Sequence, residues 1–198
     1  MSNDDLKVRF FDAALEILAT DGYGGLKLAA VCKRLKVTTG AFYHAFSSWN
    51  EFTVELLDTW RRERTTELAD LSRSAADPVE QLQRLLVATL EFRHQAEAAI
   101  RVWAALDAEV AEVQQRVDAE RYEVVVEAMT KLVGKKDASR YANWGVNILI
   151  GFEISTNEQV PVDLEWQLTQ VLLTAVAQGE ARKATRKTAR KTARRSTA

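Results

Sequence analysis

The chain has 198 residues and a net charge of −1; 47% of the residues are apolar, enough to form a buried core. Ala, Leu, Glu and Arg are frequent, glycines and prolines are few, and few runs alternate between apolar and polar residues, so we predict an all-α fold. A single cysteine excludes an internal disulfide and a multi-cysteine metal site, and without an apolar signal segment or a membrane-spanning run we expect a cytoplasmic protein.

The first predicted helix begins near Asp4 or Asp5, either of which can cap it, and runs to about Thr20. Its apolar residues repeat at helical spacing: Phe10, Phe11, Ala14, Leu15 and Leu18. Three glycines closely spaced after Asp21 then predict a loop.

Residues 26–46 predict two short helices joined by a tight turn. The first has an apolar face, Lys36-Val37-Thr38 forms the turn, and Thr38 can cap the second helix. The second helix is too short to be stable alone and must be held by packing, for which Phe42 and Phe46 are the candidates. Its first turn has only small residues, as in helix-turn-helix proteins, which insert that end into the DNA major groove. The pattern therefore predicts a DNA-binding protein.

The rest of the chain predicts further helices. Ser47 or Ser48, with Glu51, forms a capping box for a long helix to about Arg73. Asp77-Pro78 starts the next helix, and a break is expected near Asp107. Two more helices start at Asp137 and Asp163.

The last 19 residues differ from the rest, with eight Lys and Arg and one acid; residues 1–179 have 19 basic and 27 acidic residues. A helix would place like charges one turn apart, so we expect a disordered tail. The tail would add a salt-dependent, sequence-independent attraction to DNA. A purely solubilising tail is the alternative.

The order and spacing of these motifs resemble the DNA-binding domain of the TetR family of bacterial transcriptional regulators over residues 6–60. The resemblance rests on the first helix with Gly22-Tyr23, on Val31-Cys32, on the turn at Lys36-Val37-Thr38 and on Gly40 through Phe46. It implies that Thr38, Thr39 and Ala41 approach base edges and that Gly40 permits close backbone approach. Lys27, Tyr43 and His44 would contact phosphates. Trp49 stands where the family usually has lysine, and Lys27 or Lys36 would supply the missing charge.

The resemblance also implies three regions: a helix-turn-helix domain (residues 1–48), a ligand-binding and dimerisation domain (49–179) and the basic tail (180–198). The last two helices would pair with their copies in a homodimer. A small-molecule effector, whose identity the sequence does not give, would bind among the helices after residue 75. The candidates, all aromatic or aliphatic, are Phe92, Trp103, Leu106, Tyr122, Trp144, Ile148 and Phe152.

The expected function is ligand-responsive, sequence-specific transcriptional regulation, with repression from a palindromic operator on double-stranded DNA. No catalytic arrangement, phosphate-binding loop or metal-spaced cluster occurs, so we expect neither an enzyme nor a cofactor. Two alternatives stay open. One is a non-specific, nucleoid-type DNA-binding protein that relies on the tail; the other is a ligand-binding protein whose DNA domain is degenerate, as Trp49 suggests.

Overall fold

A computed structural model describes residues 3–155 and 163–195, with side chains as far as residue 189. Over these residues the chain forms nine α-helices and one 3₁₀ helix and has no strand, so the all-α prediction is confirmed. The helices are α1 (Asn3–Asp21), the 3₁₀ helix (Tyr23–Gly25), α2 (Leu28–Leu35), α3 (Thr39–Ala45), α4 (Trp49–Arg73), α5 (Pro78–Leu90), α6 (His94–Ala104), α7 (Ala108–Val133), α8 (Lys135–Ile154) and α9 (Leu164–Arg195). None of the helices within the described ranges has the length and apolarity needed to span a membrane.

The predicted capping residues explain several helix starts. The Ser48 hydroxyl accepts a hydrogen bond from the Glu51 amide at 3.0 Å, and the Glu51 carboxylate in turn accepts one from the Ser47 amide. Hydrogen bonds from the Ser47 hydroxyl and from the Ser47 amide to the carboxylate hold the pKa of Glu51 below its usual value. Asp77 likewise accepts hydrogen bonds from the first amides of α5, and Asp107 from those of α7, at the predicted break. Side-chain capping thus fixes where these helices begin.

The chain divides into two compact units. The first comprises the residues up to Glu67 together with Phe92–Asp118, and the second comprises Leu68–Glu91 and the residues from Ala119 onward. Helix α4 begins in the first unit and ends in the second. The boundary between the DNA-binding domain and the ligand-binding and dimerisation domain, placed between residues 48 and 49, stays a prediction.

The core of the first unit is built mainly from aromatic rings. Phe10 of α1, Phe42 of α3, and Phe46 and Phe52 are each at most 1% exposed. Phe10 meets Phe42 edge to face with ring centroids 5.4 Å apart, and Phe46 meets Phe52 in the same way at 5.1 Å. Such pairs stabilise a fold beyond the area that they bury. The cluster ties α1, α3 and α4 together.

In the second unit, α5 and α8 both pack against α9. Its core contains buried residues from α7 and α9, among them Ala128, Met129, Leu132, Val171 and Ala175. Helix α9 approaches α7 closely at Gly179, where an added Cβ would lie 2.9 Å from the backbone oxygen of Leu132. Only glycine fits this contact without displacement of the backbone.

The prediction of a disordered tail is wrong for residues 180–195, which continue α9. Alanine, lysine and arginine are strong helix formers, and the hydroxyls of Thr185 and Thr188 donate to the carbonyls of Ala181 and Ala184. The guanidinium of Arg182 lies against Gly134, in the space that a side chain there would need. Helix propensity and this anchored first turn outweigh the repulsion between like charges, on which the prediction of disorder rests.

Candidate nucleic-acid interface and effector residues

The turn between α2 and α3 is closed by backbone hydrogen bonds. Lys36 adopts a left-handed conformation, with φ of 56° and ψ of 41°, and ends α2. Its amide donates to the Lys33 carbonyl at 3.1 Å, and the Val37 amide donates to the Cys32 carbonyl at 3.0 Å. Thr38 then starts α3, because its hydroxyl oxygen accepts the Ala41 amide at 3.3 Å. The predicted turn and cap are both confirmed.

Helix α3 has only seven residues and is held by its apolar face. Phe42 and Ala45 are buried, and Phe42 contacts the rings of Phe10, Phe46 and Phe52. The residues on its other face are therefore displayed from a helix whose position the aromatic core fixes.

Most of the predicted DNA-binding residues are on the surface. Lys27, Lys36, Thr38, Thr39, Gly40, Tyr43 and His44 are exposed, and Ala41 is half-buried. Thr38 through Ala41 form the start of α3, whereas Lys27 and Lys36 flank opposite ends of α2. The arrangement is compatible with the predicted contacts, which stay predictions.

Trp49, which stands in place of the usual lysine, is a packing residue. Its ring is half-buried, with its centroid 4.9 Å from that of Phe52 and 5.9 Å from that of Phe42. The substitution extends the aromatic cluster and removes a positive charge at this position. Lys27 and Lys36 remain the candidates to supply it.

Cys32 lies on the buried face of α2. Burial raises the pKa of its thiol, which keeps the sulfur protonated and lowers its nucleophilicity. The residue acts as a small core side chain.

The seven predicted effector-binding residues do not form one cluster within either unit. Phe92, Trp103 and Leu106 belong to the first unit, and the other four belong to the second. Trp103 is buried and stacks on Tyr23 with centroids 5.1 Å apart, whereas Leu106 is 73% exposed. In the second unit Tyr122, Ile148 and Phe152 are half-buried, and Trp144 lines an open depression of about 330 Å³ with Tyr141.

Sequence reasoning missed a group of functional candidates in the first unit. Residues of α4, of the end of α6 and of α7 line a cavity of about 230 Å³. Trp103 is the one lining residue that is also among the predicted effector-binding residues. The contacts join positions about 50 residues apart, so no local pattern in the sequence could have indicated them. Among the described residues, no group of His, Cys, Asp or Glu is arranged to hold a metal ion.

The family model for bacterial regulatory proteins of the TetR family matches residues 10–56, which span α1 through the first part of α4. No curated protein matches the sequence closely enough to count as a relative. Several solved structures share the fold over most of their length.

One is a transcriptional regulator from Rhodococcus sp. Rha1, with 23% identity and a TM-score of 0.69 over 86% of this chain and 96% of that chain. A second is a TetR transcription regulator from Haloarcula marismortui ATCC 43049, with 16% identity and a TM-score of 0.67 over 90% and 98%. A third is the transcriptional regulator FadR from Bacillus subtilis in complex with stearoyl-CoA, with 15% identity and a TM-score of 0.59 over 86% and 98%.

At these identities the likenesses establish the fold, and the family match supports a DNA-binding regulator. The resemblance that the sequence predicts is confirmed: the chain carries the N-terminal domain of the TetR family of bacterial regulatory proteins and has the fold of that family's regulators.

Proposed function

We propose that the protein is a ligand-responsive repressor that binds a palindromic operator as a homodimer. The observation that carries the proposal is the start of α3: a capped helix end with small, exposed residues, held in place by buried aromatic rings. A helix displayed in this way can enter the major groove of DNA with its N-terminal residues at the base edges.

The side chains at this end suit base recognition. The methyl group of Thr39 can contact a thymine methyl, and its hydroxyl can bond to a base edge. Gly40 has no side chain to keep the backbone away from DNA, and an added Cβ would meet only Thr38 Oγ1, at 3.6 Å. Tyr43, which is 56% exposed one turn further along, is placed for a phosphate contact.

Exposed apolar side chains on α8 and α9 support a homodimer. Trp144 and Ile154 of α8 are 43% and 60% exposed, and Trp166 and Leu173 of α9 are 60% and 56% exposed. Large apolar residues on two adjacent helices are typical of a surface that a partner covers. A two-fold dimer would place two α3 helices for half-sites about one DNA turn apart, which requires a palindromic operator.

The ligand response is supported by one solved structure of the same fold and by the course of α4. The Bacillus subtilis regulator with this fold is a complex with stearoyl-CoA, so the fold can hold a small molecule. Because α4 is continuous between the two units, a ligand that shifts it would change the separation of the two α3 helices. A ligand would cause the release of DNA only to the extent that it binds more tightly to the conformation of the protein that does not bind DNA.

The proposal is tested by a change in base preference. Once an operator is known, Thr39→Ala should reduce discrimination at two symmetry-related positions of that operator, by about 1–3 kcal/mol per half-site. Thr66→Ala, at an exposed threonine of α4, is the matched control and should leave the preference unchanged. Equal base preference in Thr39→Ala and the wild type would contradict the assigned role of α3.

The extended α9 favours a second candidate function, non-specific DNA binding. Residues 180–189 are all exposed, so their basic side chains are available to a polyanion. On this alternative the protein would bind any DNA sequence through α9 and would show little preference for one operator.

A further inference from the structure

The last part of α9 has a sequence repeat that matches the helical turn. From Arg182 to Arg195, two basic residues alternate with two small residues, Ala or Thr, so the pattern recurs every four residues. Because this repeat is close to the 3.6 residues of an α-helical turn, the helical register places the basic residues on one face and the small residues on the opposite face. The helix therefore has one strongly charged face, which a flexible polycation would not require.

The start of this segment is fixed to the second unit. Gly179 approaches the backbone of Leu132, and the Arg182 guanidinium lies against Gly134. Beyond this point the side chains described, as far as residue 189, are all exposed. The segment is thus a helix before any partner binds, so a partner does not have to offset the entropy cost of ordering it.

The composition of the segment identifies the chemistry of its partner. Residues 180–195 include eight Lys and Arg, one acid and no apolar residue larger than alanine. A helix that binds a membrane surface or an apolar protein groove needs a face of large apolar side chains, which this segment does not have. Eight positive charges along about 20 Å of helix match instead the charge density of duplex DNA, which has one phosphate per about 1.7 Å of its axis.

The shape of the segment favours DNA over RNA. The major groove of B-DNA, about 12 Å wide, admits an α-helix, whereas the major groove of an RNA duplex is too narrow for side chains to enter. Some DNA-binding proteins use a continuous basic helix that extends from a dimerisation element into the major groove. Helix α9 has the same order along the chain, because the exposed apolar residues Trp166 and Leu173 precede its basic segment.

We propose that residues 182–195 lie as a helix in the major groove of duplex DNA and form a DNA-binding site in the second unit, separate from α3. Their Lys and Arg side chains would contact phosphates, so the site would have no sequence preference. Unlike a flexible tail, it would depend on the helix as well as on the charge. That two such segments act together, and that they add to α3, rests on the proposed function; DNA binding by one segment does not.

The test measures the affinity of the full-length protein for a labelled DNA duplex of mixed sequence by fluorescence anisotropy, with an RNA duplex of the same sequence for comparison. Every protein carries Thr39→Glu, whose carboxylate at the exposed start of α3 repels phosphates and suppresses DNA binding by α3. Thr188→Pro breaks α9 inside the basic segment, because proline removes an amide and clashes with the preceding turn. Thr188→Ala, the matched control, keeps the helix. Neither change at position 188 alters the charge.

Thr188→Pro should weaken binding of the DNA duplex about tenfold, because the basic residues beyond the break no longer follow the groove, whereas Thr188→Ala should leave it unchanged. The RNA duplex should bind more weakly than the DNA duplex. Equal DNA affinity of the two variants, or an RNA duplex bound as tightly as DNA, would overturn the proposal. If α3 recognises no operator, Thr39→Glu is without effect and the comparison at position 188 still holds, so the two proposals can fail separately.

Discussion

The indole N–H of Trp60 donates a hydrogen bond of 2.7 Å to Oε1 of Glu97, and both side chains are at most 2% exposed. The bond joins α4 to α6 within the first unit. The Arg64 guanidinium nitrogen Nε lies 3.2 Å from the same carboxylate oxygen, and the Arg64 guanidinium also lies over the Phe92 ring, 4.8 Å from its centroid. The charge of Glu97 is thus compensated where water cannot reach it.

We predict that Glu97→Ala lowers the free energy of unfolding by about 3–5 kcal/mol, because it leaves the buried Trp60 N–H without its acceptor and the Arg64 guanidinium without its ion-pair partner. Glu97→Gln keeps an oxygen for the Trp60 N–H and should cost less. Urea unfolding of both variants measures the difference, and Glu67→Ala, at an exposed position of α4, is the control. A loss below about 1 kcal/mol in Glu97→Ala would show that the buried pair contributes little to stability.

Lys36 occupies a left-handed conformation that favours glycine. We predict that Lys36→Gly raises the free energy of unfolding by about 1 kcal/mol, because it removes the conflict between Cβ and the backbone. The same change should weaken DNA binding if Lys36 contacts a phosphate. Lys33→Gly is the matched control: it removes the same charge from inside α2 and should lower stability by about 1 kcal/mol. If Lys36→Gly also lowers stability, the assigned turn conformation is wrong.

The exposed apolar surface of α9 should be part of the dimer interface. We predict that Leu173→Glu converts the dimer into a monomer in sedimentation equilibrium, because the new carboxylate would be buried without a partner. Val87→Glu changes a side chain of equal exposure, 56%, on α5 and should leave the dimer intact. A monomeric wild type, or a Leu173→Glu protein that remains dimeric, would contradict this interface.

The basic extension of α9 should add electrostatic attraction to DNA but should not affect which DNA sequence the protein prefers. Replacement of its basic residues by glutamine should flatten the dependence of DNA affinity on salt and leave the selected DNA motif unchanged. Arg182, which packs against Gly134, is kept, so the replaced residues are Lys183, Arg186, Lys187, Arg190, Lys191, Arg194 and Arg195.

The matched control replaces only the arginines of this set by lysine and should keep the original salt dependence. If the DNA affinity of the glutamine variant depends on salt as in the wild type, the extension does not bind DNA and has only a solubilising role. Loss of all DNA binding would favour the non-specific alternative.

Local sequence patterns predicted the structural features that depend only on residues close together in the sequence. Thr38 caps α3 and Ser48 caps α4 because a hydroxyl needs only an amide one turn away. The partner of Glu97 could not be predicted, because Trp60 lies 37 residues earlier and only the tertiary fold brings the two side chains together. The extension of α9 differs from the prediction because its helix propensity outweighs the repulsion between like charges. The effector candidates stay a prediction, because aromatic spacing along a helix is as typical of core residues as of cavity-lining residues.

The most direct test is selection of bound DNA from a random pool by the full-length protein. The account predicts one palindromic motif with half-sites about one helical turn apart, bound at least about a thousandfold more tightly than unrelated DNA. Thr39→Ala should alter that motif at symmetric positions. Recovery of no motif, with equal binding of all sequences through α9, would contradict the assignment of α3 as a recognition helix.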